Sequence, residues 1–222
     1  MKRMIIQFFL FFLPWALRRR ALNSLFKYQI HKEAKIGFSF VLSDELIMDA
    51  KASIKSMTIV KNINRLKLGY NSRINSLNFI TGMNMRHKRF LYDEGAYCEL
   101  VVGNNSRITT RHMIDCNGGV YIGDFTTIAG YKTQFLSHSI DVYISRQTAG
   151  KIEVGDYCFV STSCILLKGS KLPSYSVLAA GSVLGKNYSE EYALYGGVPA
   201  KKIKDMDREN TLYFTRTNPD VH

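Results

Sequence analysis

Between Val154 and Leu184 an aliphatic residue returns every six positions: Val154, Val160, Leu166, Leu172, Leu178 and Leu184. Four residues after each of the first five stands a small one: Cys158, Cys164, Ser170, Ser176 and Ser182. A helix repeats at about 3.6 residues and a lone strand at about 2, so neither produces a strict six. A chain that coils through short flat faces does, with the large residue filling the interior and the small one fitting the bend. Interrupted copies come earlier: Ile30, Ala34 and Ile36; Met48, Ala52 and Ile54; Leu68, Ser72 and Ile74; Val102, Ser106, Ile108 and Ile114; Ile122, Thr126 and Ile128. Three hexads close one triangular coil, with coils stacked about 4.8 Å apart by strand pairing. The stretch from Ile30 to Leu184 has room for about seven or eight such coils. The alternative is a β-sandwich, but sandwich strands recur at about 8–12 residues and alternate polar with apolar.

Gly69, Gly103, Gly123 and Gly155 each follow the aliphatic of a hexad. This spacing predicts corners in which glycine supplies a positive φ. The register slips twice. Ile74 to Val102 is longer than a coil, and the excess is assigned to Met83–Glu94, which carries Arg86, His87, Lys88 and Arg89. Ile128 to Val154 is also too long, and that excess falls around Phe135–Lys151, with Ser137, His138, Ser139, Ile140 and Asp141. Loops leaving a rigid scaffold commonly carry function.

The 222 residues, 46% of them hydrophobic, suit one repeat domain with short terminal extensions. The reading divides them into 1–29, a membrane-associating helical segment; 30–204, the β-helix; and 205–222, a C-terminal tail. Cys98, Cys116, Cys158 and Cys164 form no CxxC pair, which argues against a zinc knuckle or a thioredoxin-type site. Cys158 and Cys164 take the small position of the hexad and read as buried residues, and reduced cysteines fit a cytoplasmic protein.

The net charge is +12, much of it near the N-terminus, where Lys2, Arg3, Arg18, Arg19, Arg20, Lys27, Lys32 and Lys35 face only Glu33. With no recognition-helix or zinc-finger signature, nucleic acid is not the expected partner. The basic residues flank Met4–Leu17, an apolar run too short to span a bilayer as a helix, which needs about 20 residues. Pro14 interrupts it, and Trp15 with Arg18, Arg19 and Arg20 suits a headgroup boundary. The expectation is a monotopic insertion followed by an amphipathic helix, Ala21 to Tyr28, on the inner face of the cytoplasmic membrane. Two alternatives stand beside it. One is a signal peptide, which lacks an A-x-A-like cleavage site here. The other is a segment that packs on the protein itself and caps an open β-helix end.

The hexads, the run Ala179-Ala180-Gly181-Ser182-Val183 and the ending Gly197-Val198-Pro199-Ala200-Lys201 resemble the hexapeptide-repeat acyltransferases. The resemblance covers about residues 30–204. It implies an all-β fold, a left-handed parallel β-helix, with acetyl-CoA as co-substrate, no metal, and homotrimers with active sites between neighbouring β-helices. The segments His112-Met113-Ile114-Asp115-Cys116, Thr126-Thr127-Ile128-Ala129-Gly130 and Ser137-His138-Ser139-Ile140-Asp141 look closest to O-acetyltransferases of bacterial surface polysaccharides, of the colanic acid type. The Pro-Trp-Ala-Leu-Arg-Arg-Arg entry at 14–20 is similar to that branch as well.

Acetyl transfer to an alcohol needs a base for the hydroxyl proton, donors for the oxyanion and a clamp for CoA. Histidine is the natural base near neutral pH. Of the five histidines, His138 lies in the second insertion and matches the family's catalytic histidine, with Ser137 where the motif has threonine. Its orienting carboxylate is either Asp141, close in sequence, or Asp115, which matches an acidic position of the family's acceptor pocket. His112 and Asn117 are assigned near that pocket, with polar corner residues as the alternative. The resemblance makes Gly130 an oxyanion donor on the cofactor side. It sets Thr162 and Ala180 on the pantetheine, followed by Gly185 and Lys186, where the family often has Thr-Lys. Lys201 and Lys204 would meet the CoA phosphates. Cys116 as a nucleophile is disfavoured, because the family transfers acetyl directly. Two other classes stand as alternatives: a zinc hydrase using His87, His112 and His138, whose spacing does not match that class, and a non-enzymatic membrane-bound scaffold.

Overall fold

The computed structural model describes residues 2–83, 90–92 and 97–219, the backbone alone at 90–92. Among these residues three sheets of seven, nine and seven strands wrap a triangular prism, all parallel save the last strand of the nine. Face one runs from Gln29–Ile30 to Lys171–Leu172, face two from Lys35–Ile36 to Ala200–Asp205, and face three from Phe40–Leu42 to Val183–Leu184. Corner I joins faces one and two, corner II joins two and three, and corner III returns the chain from three to one.

The hexad explains the interior. Val154, Val160, Leu166, Leu172, Leu178 and Leu184 all point inward and are buried, as are the aliphatics of the earlier copies. The core runs unbroken from Leu22 to Ala200. The small corner residue has a second task beyond size. Ser106 Oγ donates to Gly123 O (2.6 Å), Thr126 Oγ1 to Gly155 O (2.6 Å) and Cys158 Sγ to Pro173 O (3.0 Å), each on the next coil. A buried corner carbonyl is thereby satisfied, so serine, threonine and cysteine recur at this position.

The corner glycines do not act through φ. After these glycines the left-handed residues are Asn71, Asn105, Phe125 and Tyr157, each two positions on. Gly103 and Gly123 are required by close approach instead. A Cβ on Gly103 would lie 2.4 Å from Asp124 Oδ1, and one on Gly123 would lie 2.3 Å from Asp156 Oδ1. Those carboxylate oxygens accept the Asn104 and Asp124 N–H groups (2.6 and 2.7 Å) and tie coil to coil.

The two register slips are larger than the sequence count, which compared residues on different faces. Leu68 stacks on Val102, and Ile122 on Val154, offsets of 34 and 32 residues. Both insertions leave from corner III. The second is an antiparallel hairpin, His138–Asp141 with Arg146–Ala149, and Phe90–Tyr92 of the first adds to its edge in parallel. The two excursions thus form one three-stranded sheet standing off the prism. Most of Met83–Glu94, including Arg86, His87, Lys88 and Arg89, lies outside the described residues.

The N-terminal helices are α1 (Lys2–Leu10) and α2 (Trp15–Phe26), so the second helix begins at Trp15, not Ala21. Pro14 presets φ at its start and divides the two. They plug the open end of the first coil. The Gln7 amide donates to Val41 O (2.5 Å) and accepts from Val41 N (3.0 Å), replacing a missing strand. Arg18 donates to Ile36 O (3.2 Å) and Gly37 O (2.9 Å), Trp15 Nε1 to Ala34 O (3.0 Å), and Asn23 pairs with both Ile30 backbone groups. No described helix is long and apolar enough to cross a membrane. At the other end the hairpin Ala193–Gly197 with Ala200–Asp205 closes the prism. The tail then folds back along corner I, where Phe214 is buried against Tyr175 and Tyr192, and Tyr213 Oη donates to Cys158 O (2.9 Å).

Candidate active site at corner III

Face three carries Met113–Asp115 directly beneath Gln134–Leu136, with Asp115 paired to Leu136. The next residues of both coils therefore meet at corner III: Cys116 and Asn117 below, Ser137 and His138 above. Asp115 is buried, and its carboxylate accepts from five donors. Oδ2 takes His138 Nδ1 (2.6 Å), His138 N (3.1 Å) and Ser137 Oγ (3.1 Å). Oδ1 takes Asn117 N (3.2 Å) and Asn117 Nδ2 (2.5 Å). The hydrogen bond to Asp115 pushes the His138 imidazole above its ordinary range, against a smaller opposing effect of burial. This geometry assigns the proton to Nδ1 and makes Nε2 the basic nitrogen.

Several contacts fix the pair. Ser137 is fully buried, and its Oγ also accepts Gly118 N (2.9 Å). Asn117 Oδ1 accepts Met83 N (2.7 Å), and its Nδ2 lies 3.1 Å from His138 Nδ1. Gly118 and Gly150 lie back to back at the hairpin's root, where a Cβ on Gly118 would sit 2.1 Å from Gly150 O. Lys168 Nζ reaches Thr148 Oγ1 on the hairpin.

The other candidates divide among the corners. Asp141 is not the orienter: it lies at the far end of the strand, where its Oδ1 accepts Tyr143 N (3.0 Å) in the hairpin turn. Side chains alternate along a strand, so His138 and Asp141 leave on opposite faces. Asn117 contacts the histidine itself. His112 lies apart from Asp115, at corner II, across the width of face three. It is buried, within 2.9 Å of Thr109 Oγ1, and its Nδ1 accepts Thr133 N (3.2 Å). Burial pulls its pKa down to about 4. It borders a cleft of about 350 Å³ lined by Leu77, Phe79, Arg111, Met113, Lys132 and Gln134. His112 and His138 thus stand on different corners of the chain, and His87 lies outside the described residues. Cys116 is fully buried with its thiol pushed well up, so it is not a nucleophile.

Gly130, Thr162 and Ala180 stack along corner II in successive coils. A Cβ on Gly130 would meet Thr162 Cβ at 2.5 Å, and Thr162 O accepts Gly181 N (3.0 Å). Gly185 and Lys186 return to corner III above the His138 level, while Lys201 and Lys204 lie exposed on the closing hairpin. Within one chain, then, the candidate base is on corner III and much of the candidate cofactor side is on corner II. The sequence held a signal for the Asp115–His138 pair: in a coil repeat, residues ending the same face of consecutive coils are neighbours.

No family model matches the chain, and no curated protein matches it. Solved structures do match. A hexapeptide-repeat-containing acetyltransferase of Vibrio cholerae is 21% identical, covering 64% of this chain and 74% of its own, with TM-score 0.50. The polySia-specific acetyltransferase NeuO is 19% identical over 83% of this chain and 78% of its own, with TM-score 0.51. A Bacillus cereus N-acyltransferase, solved as a point variant with dTDP and coenzyme A, is 17% identical over 78% and 86%, with TM-score 0.52. With these likenesses and the three parallel faces, the chain has the left-handed parallel β-helix fold of hexapeptide-repeat proteins.

Proposed function

We propose that the chain is an O-acetyltransferase that moves acetyl from acetyl-CoA to a sugar hydroxyl of a bacterial surface glycan, of the colanic acid type. The observation that carries this reading is the Asp115–His138 pair at the root of a hairpin leaving a hexapeptide scaffold. Supporting it, the structural neighbours with this fold include NeuO, whose name specifies polySia, and an acyltransferase solved with coenzyme A.

His138 Nε2 takes the proton of the acceptor hydroxyl as that oxygen attacks the thioester carbonyl. The tetrahedral intermediate then collapses, the C–S bond breaks, and the imidazolium returns its proton to the departing CoA sulfur. Asp115 holds the tautomer and stabilises the imidazolium between these steps. No acyl-enzyme forms. The oxyanion needs a preorganised N–H, and Gly130 is the candidate. Because Gly130, Thr162 and Ala180 line corner II, the reading requires corner II of one subunit to face corner III of the next, in a homotrimer. The trimer repeats the cleft three times by symmetry. Lys186, Lys201 and Lys204 serve the CoA phosphates as point charges. Acetyl-CoA as donor supports a cytoplasmic reaction, and the apolar, basic N-terminus supports a site on the inner face of the cytoplasmic membrane.

The test is mass spectrometry of surface glycans from cells with and without this protein. The expected result is loss of acetyl esters at one sugar position; identical acetylation in both would contradict the reading.

A further inference from the structure

Helix α1 is amphipathic in the opposite sense to a helix docked by its apolar face. Its inward residue is Gln7, which continues the strand ladder of the first coil, while its apolar residues other than Leu10 are exposed. At about 100° per residue, Ile5 and Phe9 lie opposite Gln7, flanked by Ile6 and Phe8, and Phe12 follows in the turn after the helix. Phe12 is 76% exposed and Phe9 65%. Strand hydrogen bonds in a coil run along the prism axis, so the partner of Val41 lies across the end of the prism and not on its side. The apolar ridge therefore looks outward along the axis. Lys2, Arg20 and Lys27 of the same helical segment are exposed, and Arg3 pairs with Asp44 (3.7 Å). A second copy meeting this end face to face would bring the two sets of cations together, whereas an anionic surface neutralises them.

We propose that α1 and α2 form a foot that docks on an anionic lipid bilayer and holds the β-helix upright on it. The same end cap then seals the core from water and meets lipid with its other side. Upright docking fixes the height of the site. Asp115 is on the fourth coil and His138 follows the fifth. Four coil spacings plus the thickness of the helical foot set the site roughly 25–30 Å above the lipid. Taken with the acetyltransferase reading, on which this step rests, the acceptor hydroxyl belongs to the distal part of a lipid-borne glycan and not to the sugar next to the headgroup.

The full chain is floated with vesicles of phosphatidylcholine alone or with one third phosphatidylglycerol. Binding is expected on the anionic vesicles, roughly tenfold stronger than on the neutral ones. The variant Phe9→Glu/Phe12→Glu touches only exposed positions, so it should unfold at the wild-type temperature and lose vesicle binding. A dye on Tyr143→Cys, at the exposed hairpin tip, reports height by energy transfer to a dye in the bilayer surface; the four native cysteines are buried and stay unlabelled. No flotation, or flotation unchanged in the double variant, overturns the foot. So does a change of oligomer size in the double variant without any lipid binding, which would make the ridge an interface between copies. Energy transfer at contact range overturns the upright pose. His138→Ala should float like wild type, so loss of transfer chemistry and loss of docking are read separately.

Discussion

Replacing Asp115 with asparagine separates the role of the carboxylate from its shape. All five partners of Asp115 are directed at it as donors: two on Oδ1 from Asn117, three on Oδ2 from Ser137 and His138. An amide cannot satisfy this shell in either orientation. With its NH2 toward His138 it opposes Nδ1–H and a backbone N–H, leaving only the Ser137 hydroxyl to rotate. With the amide flipped, it opposes the backbone and side-chain N–H groups of Asn117. Hydrogen bonds to charged groups are worth about 1.5–3 kcal/mol each, so losing one and opposing another costs about 2–4 kcal/mol. At about 1.4 kcal/mol per tenfold, kcat falls roughly 30- to 1000-fold. The pH profile adds a signature. The base works as the neutral ring, so activity rises with pH through the His138 pKa, which Asp115 holds above 6.5. In Asp115→Asn the raising partner is gone while burial, which lowers the pKa, remains, so the midpoint moves to lower pH. The assay is CoA release from acetyl-CoA with a panel of free sugars as acceptors, across pH 5 to 9. A variant with wild-type kcat and an unmoved midpoint would refute the reasoning.

Other perturbations probe the frame around the site. Gly118→Ala drives a methyl against Gly150 at the hairpin root; overpacking of this kind costs about 1–3 kcal/mol, and turnover should fall with the melting temperature, as calorimetry and the same CoA-release assay will show. Gln7→Leu leaves the buried N–H of Val41 without a partner, while its C=O keeps Tyr28 Oη, at about 1–3 kcal/mol, read as a lower denaturant midpoint with turnover per folded molecule unchanged. His112 refuses a proton down to about pH 4 when folded, whereas the unfolded ring takes one near 6.5. Stability therefore rises with pH between these values, and His112→Ala should flatten that slope in denaturant titrations while leaving the pH midpoint of activity in place.

The coil was legible in the sequence because its interior admits one residue per face and level, so every hexad aliphatic from Ile30 to Leu184 had a single destination. The glycines were legible as corners, but their reason was not. Gly103 is not needed for its φ; it yields space to Asp124, in a contact between neighbouring coils. The register count failed where Ile74 was measured against Val102, residues on different faces, and Leu68 was the proper reference. Pairing of Phe90–Tyr92 with Arg146–Ala149 joins two insertions, and no periodicity encodes a contact outside the repeat. At the site, His138 stood out by type and place. Its partner was ambiguous because Asp141 was close in sequence while Asp115 matched only an acidic position of the resembled family; the stacking that brings Asp115 beneath it is a property of the coil. In the apolar run Met4–Leu17, Gln7 was the signal for a plug: one amide in such a segment has a backbone partner to find.

The central claim is that His138 is the base for acetyl transfer from bound acetyl-CoA. Its most direct test pairs two measurements on His138→Ala: calorimetric titration with CoA, and acetylation of purified glycan from acetyl-CoA followed by mass spectrometry. The account predicts CoA affinity within a few-fold of wild type and transfer reduced by about 10²–10⁴. Transfer at the wild-type rate, or a wild-type chain that binds no CoA, would contradict it.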